Sequence, residues 1–496
     1  MKPNLLHGSD EPTLQHPFNE QQLLQDLHLE PILKAMSRQD PNVYATMSKL
    51  LLDPLQDENT ILRRQQVVKD TIRTPSLIHR MYEIVSDIDV QSAAYRAQMK
   101  PSFSRNVPIR DKLTTATALL DILLTKLREL RDLGAANKPL LLSKGLTDLV
   151  KMLEQTYTNE FLSAARTHHR YLQLAVQECR LSIGARIGNG LKGTGFTLRR
   201  IETASSFPLN RFKSGKSGSF LLGHDVKEIE ESALSNVLRI LKRFIDRCLN
   251  FTDLLRYESS FYVGCMNLYE DLVNRGCEVA FPLPLTSEER CFSFTGLYDP
   301  GLAIEFGRQP VTNELQADGK HVLMITGKNQ GGKTTFLRSL GLAQLMMQSG
   351  MFVPASTYRA SVCDRIFTHF TREEDKTMRS GKLDEELARL DQIVDHLTPR
   401  SLLLMNEPFA STTEREGSAI AMDLLSVCDE LRLRVYIVTH FYELAGWAYA
   451  KLNHAVFLSP SRDNEGSHSY KLAYAEPSPT SYGEDLYNRI MTKPLG

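Results

Sequence analysis

The sequence predicts a multidomain protein in which α-helical domains precede an α/β domain. At 496 residues the chain is too long for one ordinary hydrophobic core, which favours two or three domains. Leu-rich segments with helical periodicity dominate the first half. From about residue 290 short apolar strands alternate with helical segments, and this alternation is typical of a largely parallel sheet covered by helices.

Composition restricts the classes of function. Hydrophobic and charged residues make up 42% and 24% of the chain, as in a soluble globular protein. The 59 basic residues equal the 59 acidic ones, so any nucleic-acid-binding surface must be local. We expect neither a membrane span nor a secretory signal, because no long apolar run is present. The seven scattered cysteines, without a CxxC pair, indicate reduced thiols in the cytoplasm and make zinc binding improbable.

Two helical stretches flank the middle of the chain. The first runs from about 109 to 182 with a break at "GAANKP", and the second runs from about 225 to 276. One long helical stretch before the middle segment and one after it predict a pair of helical arms that extend from the rest of the protein. A coiled-coil rod is the alternative, but the apolar positions do not keep a heptad spacing.

Residues 184–220, between the arms, are rich in Gly and Ser and locally basic. This segment predicts either a small β tip or a mobile connector, and the sequence leaves both open. If it is functional, it can neutralise phosphate groups. Its basic residues, opposed by Glu202 alone, are Arg186, Lys192, Arg199, Arg200, Arg211, Lys213 and Lys216.

The segment Gly327–Thr334 has the GxxxxGK[ST] pattern of a phosphate-binding loop. The apolar strand "HVLMITG" precedes it, and an amphipathic helix closed by Gly350 follows, as the motif requires. Backbone N–H groups and the helix dipole attract phosphate, while Lys333 and Thr334 would serve the phosphates and Mg²⁺. A plain Gly-rich turn is the alternative. The predicted ATP contacts are Gly327, Lys328, Asn329, Gln330, Gly331, Gly332, Lys333, Thr334 and Thr335.

Two later strand ends supply further candidates. Glu407 follows the strand 402–405 and would orient the attacking water, and His440 ends the strand "VYIVTH", where it would sense the γ-phosphate. With Lys333 they form the predicted catalytic set. Asn406 stands where an Asp is expected, so it would contact Mg²⁺ through water without supplying charge, and we expect slow hydrolysis.

Several segments together resemble one family, the MutS proteins of DNA mismatch repair. The resemblance is strong over 295–483 and weaker before it. The similar segments are "ITGKNQGGKTTFLRSLGLAQLM", "FVPASTYRASVCDRIFT", "NEPFASTTEREG", "VTHF", "SYG" at 481–483 and, upstream, "DPLQDENTILRRQQVV".

The resemblance implies a helical core, levers ending in a clamp, and an ABC-type P-loop ATPase domain that forms a homodimer with composite nucleotide sites. Ser411, Thr412 and Thr413 would lie near that interface. The implied parts are a helical core 1–108, first lever helices 109–183, a basic tip 184–220, second lever helices 221–285 and an ATPase domain 286–496.

The chain also departs from the family pattern. Core-like sequence begins near residue 20, so we expect no mismatch-reading or connector domain. Phe18-Asn19-Glu20 and Phe441-Tyr442-Glu443 match the reading motif only by chance. The segment 380–387, which approaches the partner's nucleotide in the family, is shortened, although Ser380 and Gly381 remain.

The sequence therefore predicts a dimeric, ATP-dependent DNA clamp that acts in DNA repair or recombination in the cytoplasm, away from membranes. The alternative is a nucleotide-gated protein scaffold with no DNA binding and little or no hydrolysis. Salt-dependent binding to DNA would separate the two.

Overall fold

The computed structural model describes residues 2–6, 18–100, 107–176, 180–187, 193–202, 223–327, 331–371, 381–462 and 468–477. The chain forms two compact units. The first contains 1–5 and 74–259, and the second contains 6–73 and 260–496. These units follow contacts within the fold, whereas the five-part division above follows sequence patterns and stays a prediction.

Helices and strands are numbered here along the described chain. The helices are α1 (Glu20–Asp26), α2 (Glu30–Ser37), α3 (Pro41–Leu52), α4 (Glu58–Arg73), α5 (Pro75–Met99), α6 (Ile109–Asn137), α7 (Lys144–Thr156), α8 (Asn159–Val176), α9 (Gly223–Asn274), α10 (Pro300–Phe306), α11 (Lys333–Ser349), α12 (Lys382–Val394), α13 (Glu414–Glu430) and α14 (Tyr442–Lys451). The strands are β1 (Arg180–Ile187), β2 (Gly193–Glu202), β3 (Leu283–Leu285), β4 (Phe292–Leu297), β5 (Asn313–Gln316), β6 (Val322–Ile325), β7 (Thr357–Ser361), β8 (Ile366–Phe370), β9 (Leu402–Asn406), β10 (Arg434–Val438), β11 (Ala455–Arg462) and β12 (His468–Tyr474).

The first unit is built on α5 and α6, which pack against each other. The buried side of α6 is a stripe of leucines at helical spacing, among them Leu113, Leu120, Leu127 and Leu130. The break predicted at "GAANKP" is confirmed, because α6 ends at Asn137, inside that segment. Gly134 lies within the helix, where a Cβ would come 3.0 Å from a methyl group of Val150, so this glycine permits close packing against α7.

The end of the first arm also differs from the prediction. The helix expected to reach about residue 182 ends at Val176, and Arg180 already begins β1. The alternation of apolar residues along "RLSIGARI" explains the change, because a period of two favours a strand. β1 pairs antiparallel with β2, so the described part of the middle segment is a hairpin. Four basic residues of the segment 184–220 lie outside the described residues, namely Lys192, Arg211, Lys213 and Lys216.

The second unit contains a six-stranded sheet with the order β12-β11-β6-β10-β9-β8. Its pairings are parallel except for that of the edge strand β12, which is antiparallel to β11. A second, four-stranded sheet has the order β3-β7-β4-β5 and mixes both directions. The sequence did not predict this sheet. The combination of helical and α/β regions is confirmed, with mixed sheets.

The tripeptide Phe18-Asn19-Glu20 has a structural role in the second unit. The Phe18 ring stacks on His396 with ring centroids 4.1 Å apart. The Asn19 side chain donates a hydrogen bond to the carbonyl oxygen of Ile366 at 3.1 Å. These contacts attach the start of α1 to the sheet and give Phe18 and Asn19 a structural role.

Across the described ranges, no helix combines the length and apolarity needed to cross a membrane. The six described cysteines are free.

Candidate active site

The predicted site lies where parallel strands of the six-stranded sheet end side by side. In the sheet register Val438 of β10 is level with Ile325 of β6 and with Asn406 of β9. The ladder continues one step further, since the N–H of Glu407 donates to the carbonyl oxygen of Val438 at 2.8 Å. The loops that follow β6, β9 and β10 therefore meet at one sheet edge, as expected for ligand sites of open α/β sheets.

Two glycines of the loop after β6 have conformations that other residues rarely adopt. Gly327 has φ 112°, and a Cβ there would come 2.8 Å from Pro460 of β11. Gly332 caps the start of α11 at φ 81°. Gly327 and Gly332 thus permit tight turns at the two ends of the loop, and the start of α11, whose free N–H groups attract anions, follows directly.

Lys333, Glu407 and His440 form a connected set of charged groups. The Lys333 Nζ donates to the Gly327 carbonyl oxygen at 2.5 Å and lies 3.7 Å from Glu407 Oε1. The other Glu407 oxygen, Oε2, is bonded to His440 Nδ1 at 2.5 Å. Lys333 is buried, whereas His440 is half exposed. The structure thus brings together the three residues that the sequence proposed as catalytic.

The pKa values of these groups reflect their contacts. Burial lowers the pKa of Lys333, with the charge of Glu407 opposing the change. Burial alone would raise the pKa of Glu407, but the hydrogen bond from His440 and the charge of Lys333 outweigh it, and the net pKa is lowered. The hydrogen bond to Glu407 raises the pKa of His440 against the effect of burial. Glu407 is accordingly ionised at neutral pH.

Thr334 and Asn406 form the predicted metal-side pair. The Thr334 hydroxyl donates to the Asn406 side-chain oxygen Oδ1 at 2.8 Å. Both oxygens are neutral, hard donors of the kind that Mg²⁺ accepts. In the described part of the chain no group of three or more His, Cys, Asp or Glu side chains could hold a metal ion. The pair therefore fits a magnesium ion that arrives with an anionic ligand.

The loop after Glu407 is held by a residue that the sequence analysis did not select. Glu386 of α12 is buried, and its Oε1 accepts the Phe409 N–H at 2.7 Å and a ring nitrogen of His369 at 3.2 Å. Its Oε2 accepts the Ser411 hydroxyl at 3.1 Å. Glu407 and Phe409 both have positive φ, 52° and 60°, which non-glycine residues seldom adopt. Glu386 thus fixes a strained loop directly beside the candidate catalytic residue.

A weak sequence signal for Glu386 existed. Glu386 lies on an amphipathic helix whose other inward positions are Leu390 and Ile393, so a carboxylate at this position faces the interior. A buried carboxylate needs several donors. Those donors come from β8 and from the loop after β9, and a local pattern cannot reveal them.

The remaining predicted residues are distributed as follows. Lys328, Asn329, Gln330 and Ser380 lie outside the described residues, as does "SYG" at 481–483. Gly331 is buried and Thr335 half-buried at the start of α11. Ser411 and Thr413 are exposed just before α13, where the Thr413 hydroxyl accepts the Glu416 N–H at 3.4 Å as a helix cap.

Comparisons with known proteins match two regions of the chain. A family profile described as "MutS2 N-terminal domain" matches residues 56–275, and one described as "MutS domain V" matches residues 323–487. The second region contains the whole candidate site.

Among curated proteins, the chain is similar to several named "DNA mismatch repair protein MutS". It is 35% identical to that of Synechocystis sp. over 163 residues, 29% of this chain and 19% of the relative. It is 35% identical to that of Desulforamulus reducens over 158 residues, 29% and 18% respectively. For Halalkalibacterium halodurans the values are 28% over 204 residues, 36% and 24%. The chain thus spans a quarter or less of the length of these relatives.

Proposed function

Because the chain belongs to the MutS family, we propose that it is a slow ATPase of the ABC type that couples nucleotide binding to DNA binding. The observation that carries this proposal is the continuous contact Lys333–Glu407–His440, made by residues that follow the three neighbouring strands β6, β9 and β10. A phosphate loop, a carboxylate for water and a residue near the γ-phosphate are the parts that nucleotide hydrolysis requires.

The residues would divide the work by charge. Backbone N–H groups of the loop from Gly327 to Gly332 bind phosphate oxygens, and Lys333 stabilises the negative charge that develops during transfer. Glu407 is held ionised by the charge of Lys333 and the hydrogen bond from His440. A carboxylate with a lowered pKa is a strong hydrogen-bond acceptor but a weak base, so its role is to orient the water.

Thr334 and Asn406 would hold Mg²⁺, partly through water. The metal supplies positive charge that neutralises the phosphates. Since Asn406 and Thr334 are neutral, the nucleotide's own phosphates must provide the anionic share of the coordination shell. This favours magnesium binding only together with ATP.

Two substitutions test the nucleotide chemistry. Lys333→Ala should abolish ATP binding in titration calorimetry, whereas the exposed Lys451→Ala should leave it intact. Glu407→Gln should keep ATP bound and stop hydrolysis, because a neutral amide cannot accept the hydrogen bond from the water as an anion does.

The same measurements bear on the alternative function. The neutral Asn406, which stands where an Asp is expected, is the observation behind the alternative, a nucleotide-gated protein scaffold with little or no hydrolysis. If purified unmodified protein turns over ATP no faster than Glu407→Gln, the protein is such a scaffold. If Lys333→Ala binds ATP as the unmodified protein does, both functions assigned to the site are wrong.

Further proposals concern assembly and location. The ATPase regions would pair in a homodimer, with the exposed Ser411 and Thr413 near the interface and the segment 380–387 facing the partner's nucleotide. The protein would act in the cytoplasm and contact DNA through the β1–β2 hairpin. Light scattering that gives the monomer mass with and without ATP would contradict the dimer.

A further inference from the structure

A second charged pocket lies in the same unit, at the opposite edge of the six-stranded sheet. Lys320 precedes β6, Arg400 precedes β9 and Arg434 begins β10. Parallel strands start at one edge and end at the other, so these residues lie away from the loops that follow β6, β9 and β10. They line a cavity of about 160 Å³, together with Arg290, Arg432 and Glu288.

The charges in this pocket are not balanced. Glu288 pairs with Arg400 at 3.0 Å, but both side chains are about two-thirds exposed, at 66% and 63%, so this pair neutralises little. In the described part of the chain, the other four cations of the pocket form no ion pair with a carboxylate. These four are Arg290, Lys320, Arg432 and Arg434.

Backbone carbonyl groups hold three of these cations in place. The Arg290 guanidinium donates to the Arg432 carbonyl oxygen at 2.9 Å, and Lys320 Nζ donates to that of Asn453 at 3.0 Å. Arg434 is buried and donates to the carbonyl oxygens of Ser361 and Val362, both at 2.8 Å. A carbonyl orients a cation but leaves its charge in place. The donors are therefore preorganised and still positive.

The clustering of like charges is unfavourable in the protein alone. Burial lowers the pKa of Arg290, and the charges of Arg432 and Arg434 lower it further. Arg290 and Arg432 also have positive φ, 50° and 52°, which adds local backbone strain. Repulsion among fixed cations is relieved when an anion enters between them.

We propose that this pocket binds a phosphate group. A phosphate carries up to two charges and presents three acceptor oxygens, which match several guanidinium and ammonium donors at once. A carboxylate offers one charge and two oxygens, too few for four unpaired cations. The phosphate comes either from a small molecule such as pyrophosphate or from the terminal phosphate of a nucleic-acid end.

The test must separate this pocket from the loop at Lys333, which is also expected to bind phosphate. Lys333→Ala protein is therefore the parent, and pyrophosphate is titrated into it by calorimetry at fixed ionic strength. Arg290→Gln and Lys320→Gln are then added together. Glutamine removes the positive charge at each position but keeps an N–H donor for the carbonyl group. Arg434 is left unchanged because its hydrogen bonds support the strand backbone.

We expect the added pair to weaken pyrophosphate binding roughly tenfold or more, because the variant lacks two charge-assisted bonds to the phosphate. The matched control adds Arg308→Gln and Lys451→Gln, both exposed and outside the pocket, and should bind as the parent does. Thermal unfolding of each protein verifies that the fold is retained.

A second arm identifies the source of the phosphate. Duplex DNA with and without 5′-phosphates is titrated into the parent and into the pocket variant. A preference for the phosphorylated duplex that the variant loses supports a nucleic-acid end, and loss of pyrophosphate binding alone supports a small molecule. The proposal is overturned if the parent binds neither ligand, or if the pocket variant and its parent bind both equally.

Discussion

Glu407 illustrates how single contacts set the chemistry of the site. Its backbone adopts φ 52°, and its two oxygens face different side chains, Lys333 at 3.7 Å and His440 at 2.5 Å. This arrangement fixes the carboxylate and keeps it ionised, but it also reduces its basicity. Together with the neutral Asn406, it gives a physical reason to expect slow turnover.

Asn406→Asp should accelerate the reaction or reduce its need for magnesium. Asp keeps the oxygen that accepts the Thr334 hydroxyl and adds a charge to the metal side of the site. The change from a neutral to a charge-assisted bond is worth about 1–2 kcal/mol, or roughly 5- to 30-fold in magnesium affinity or rate. Magnesium titrations of steady-state ATP turnover measure both quantities.

The control for this substitution is Asn453→Asp, which adds the same charge at an exposed position outside the site. It should leave magnesium dependence unaltered. If Asn406→Asp needs as much magnesium as the unmodified protein and hydrolyses no faster, Asn406 does not face the metal.

Among the helices and strands, those whose signals lie within one short stretch of sequence could be predicted. The strand–loop–helix unit from β6 to α11 follows from an apolar run, a glycine loop and the closing Gly350, all within one stretch of sequence. The second sheet could not be predicted because its strands are short and two of its pairings, β3 with β7 and β4 with β7, join segments far apart in the sequence. The close packing of Gly134 against Val150 could not be predicted either, because it depends on another helix.

Glu386 of α12 connects three elements, and its removal should loosen the loop that carries Glu407. In Glu386→Gln the amide group can no longer accept hydrogen bonds from Phe409, Ser411 and His369 together. The bonds from Phe409 and His369 share one oxygen and become neutral, and the exposed Ser411 hydroxyl loses its anionic acceptor. This loss of charge-assisted bonds costs about 1–3 kcal/mol in the free energy of unfolding at neutral pH. Urea unfolding measures this loss, and Glu430→Gln, exposed on α13, is the matched control.

The difference in the free energy of unfolding between the unmodified protein and Glu386→Gln should depend on pH. Burial acts to raise the pKa of Glu386, but hydrogen bonds from His369 and Phe409 bring it below the ordinary glutamate value of 4.5. A lowered folded pKa means that the carboxylate stabilises the fold above the unfolded value and loses this contribution as pH falls through the folded pKa. The difference in the free energy of unfolding between the two proteins should therefore become smaller in acid. A gap that widens as pH falls would contradict the ionised assignment.

For the whole molecule, zero net charge conceals local basic surfaces. The 59 basic and 59 acidic residues balance over the chain, yet the pocket around Arg290 and the β1–β2 hairpin are locally basic. Within the hairpin, Arg186 and Arg199 are exposed, and a Cβ at Gly184 would lie 2.6 Å from Arg199 Nε. Gly184 thus leaves room for the Arg199 side chain to cross the hairpin. The excess of Lys and Arg over acidic residues in the segment 184–220 favours contacts with phosphates, which carry no sequence information.

We therefore predict that the hairpin region binds the DNA backbone without sequence preference. The variant replaces four cations by Ala, and the control replaces four exposed cations on α7 and α9. The variant carries changes at Arg199, Arg200, Arg211 and Lys213, and the control at Lys144, Lys151, Arg239 and Arg243. Because each neutralised phosphate releases counterions, the variant should bind all duplex sequences more weakly, and the slope of log K against log salt should flatten by about 0.9 for each phosphate that is no longer neutralised. Fluorescence anisotropy over a salt series measures both changes.

Two outcomes would contradict this prediction. Unequal losses of affinity between sequences would indicate that the hairpin reads bases. Equal affinities and slopes for variant and control would mean that the hairpin only connects its two flanking helices.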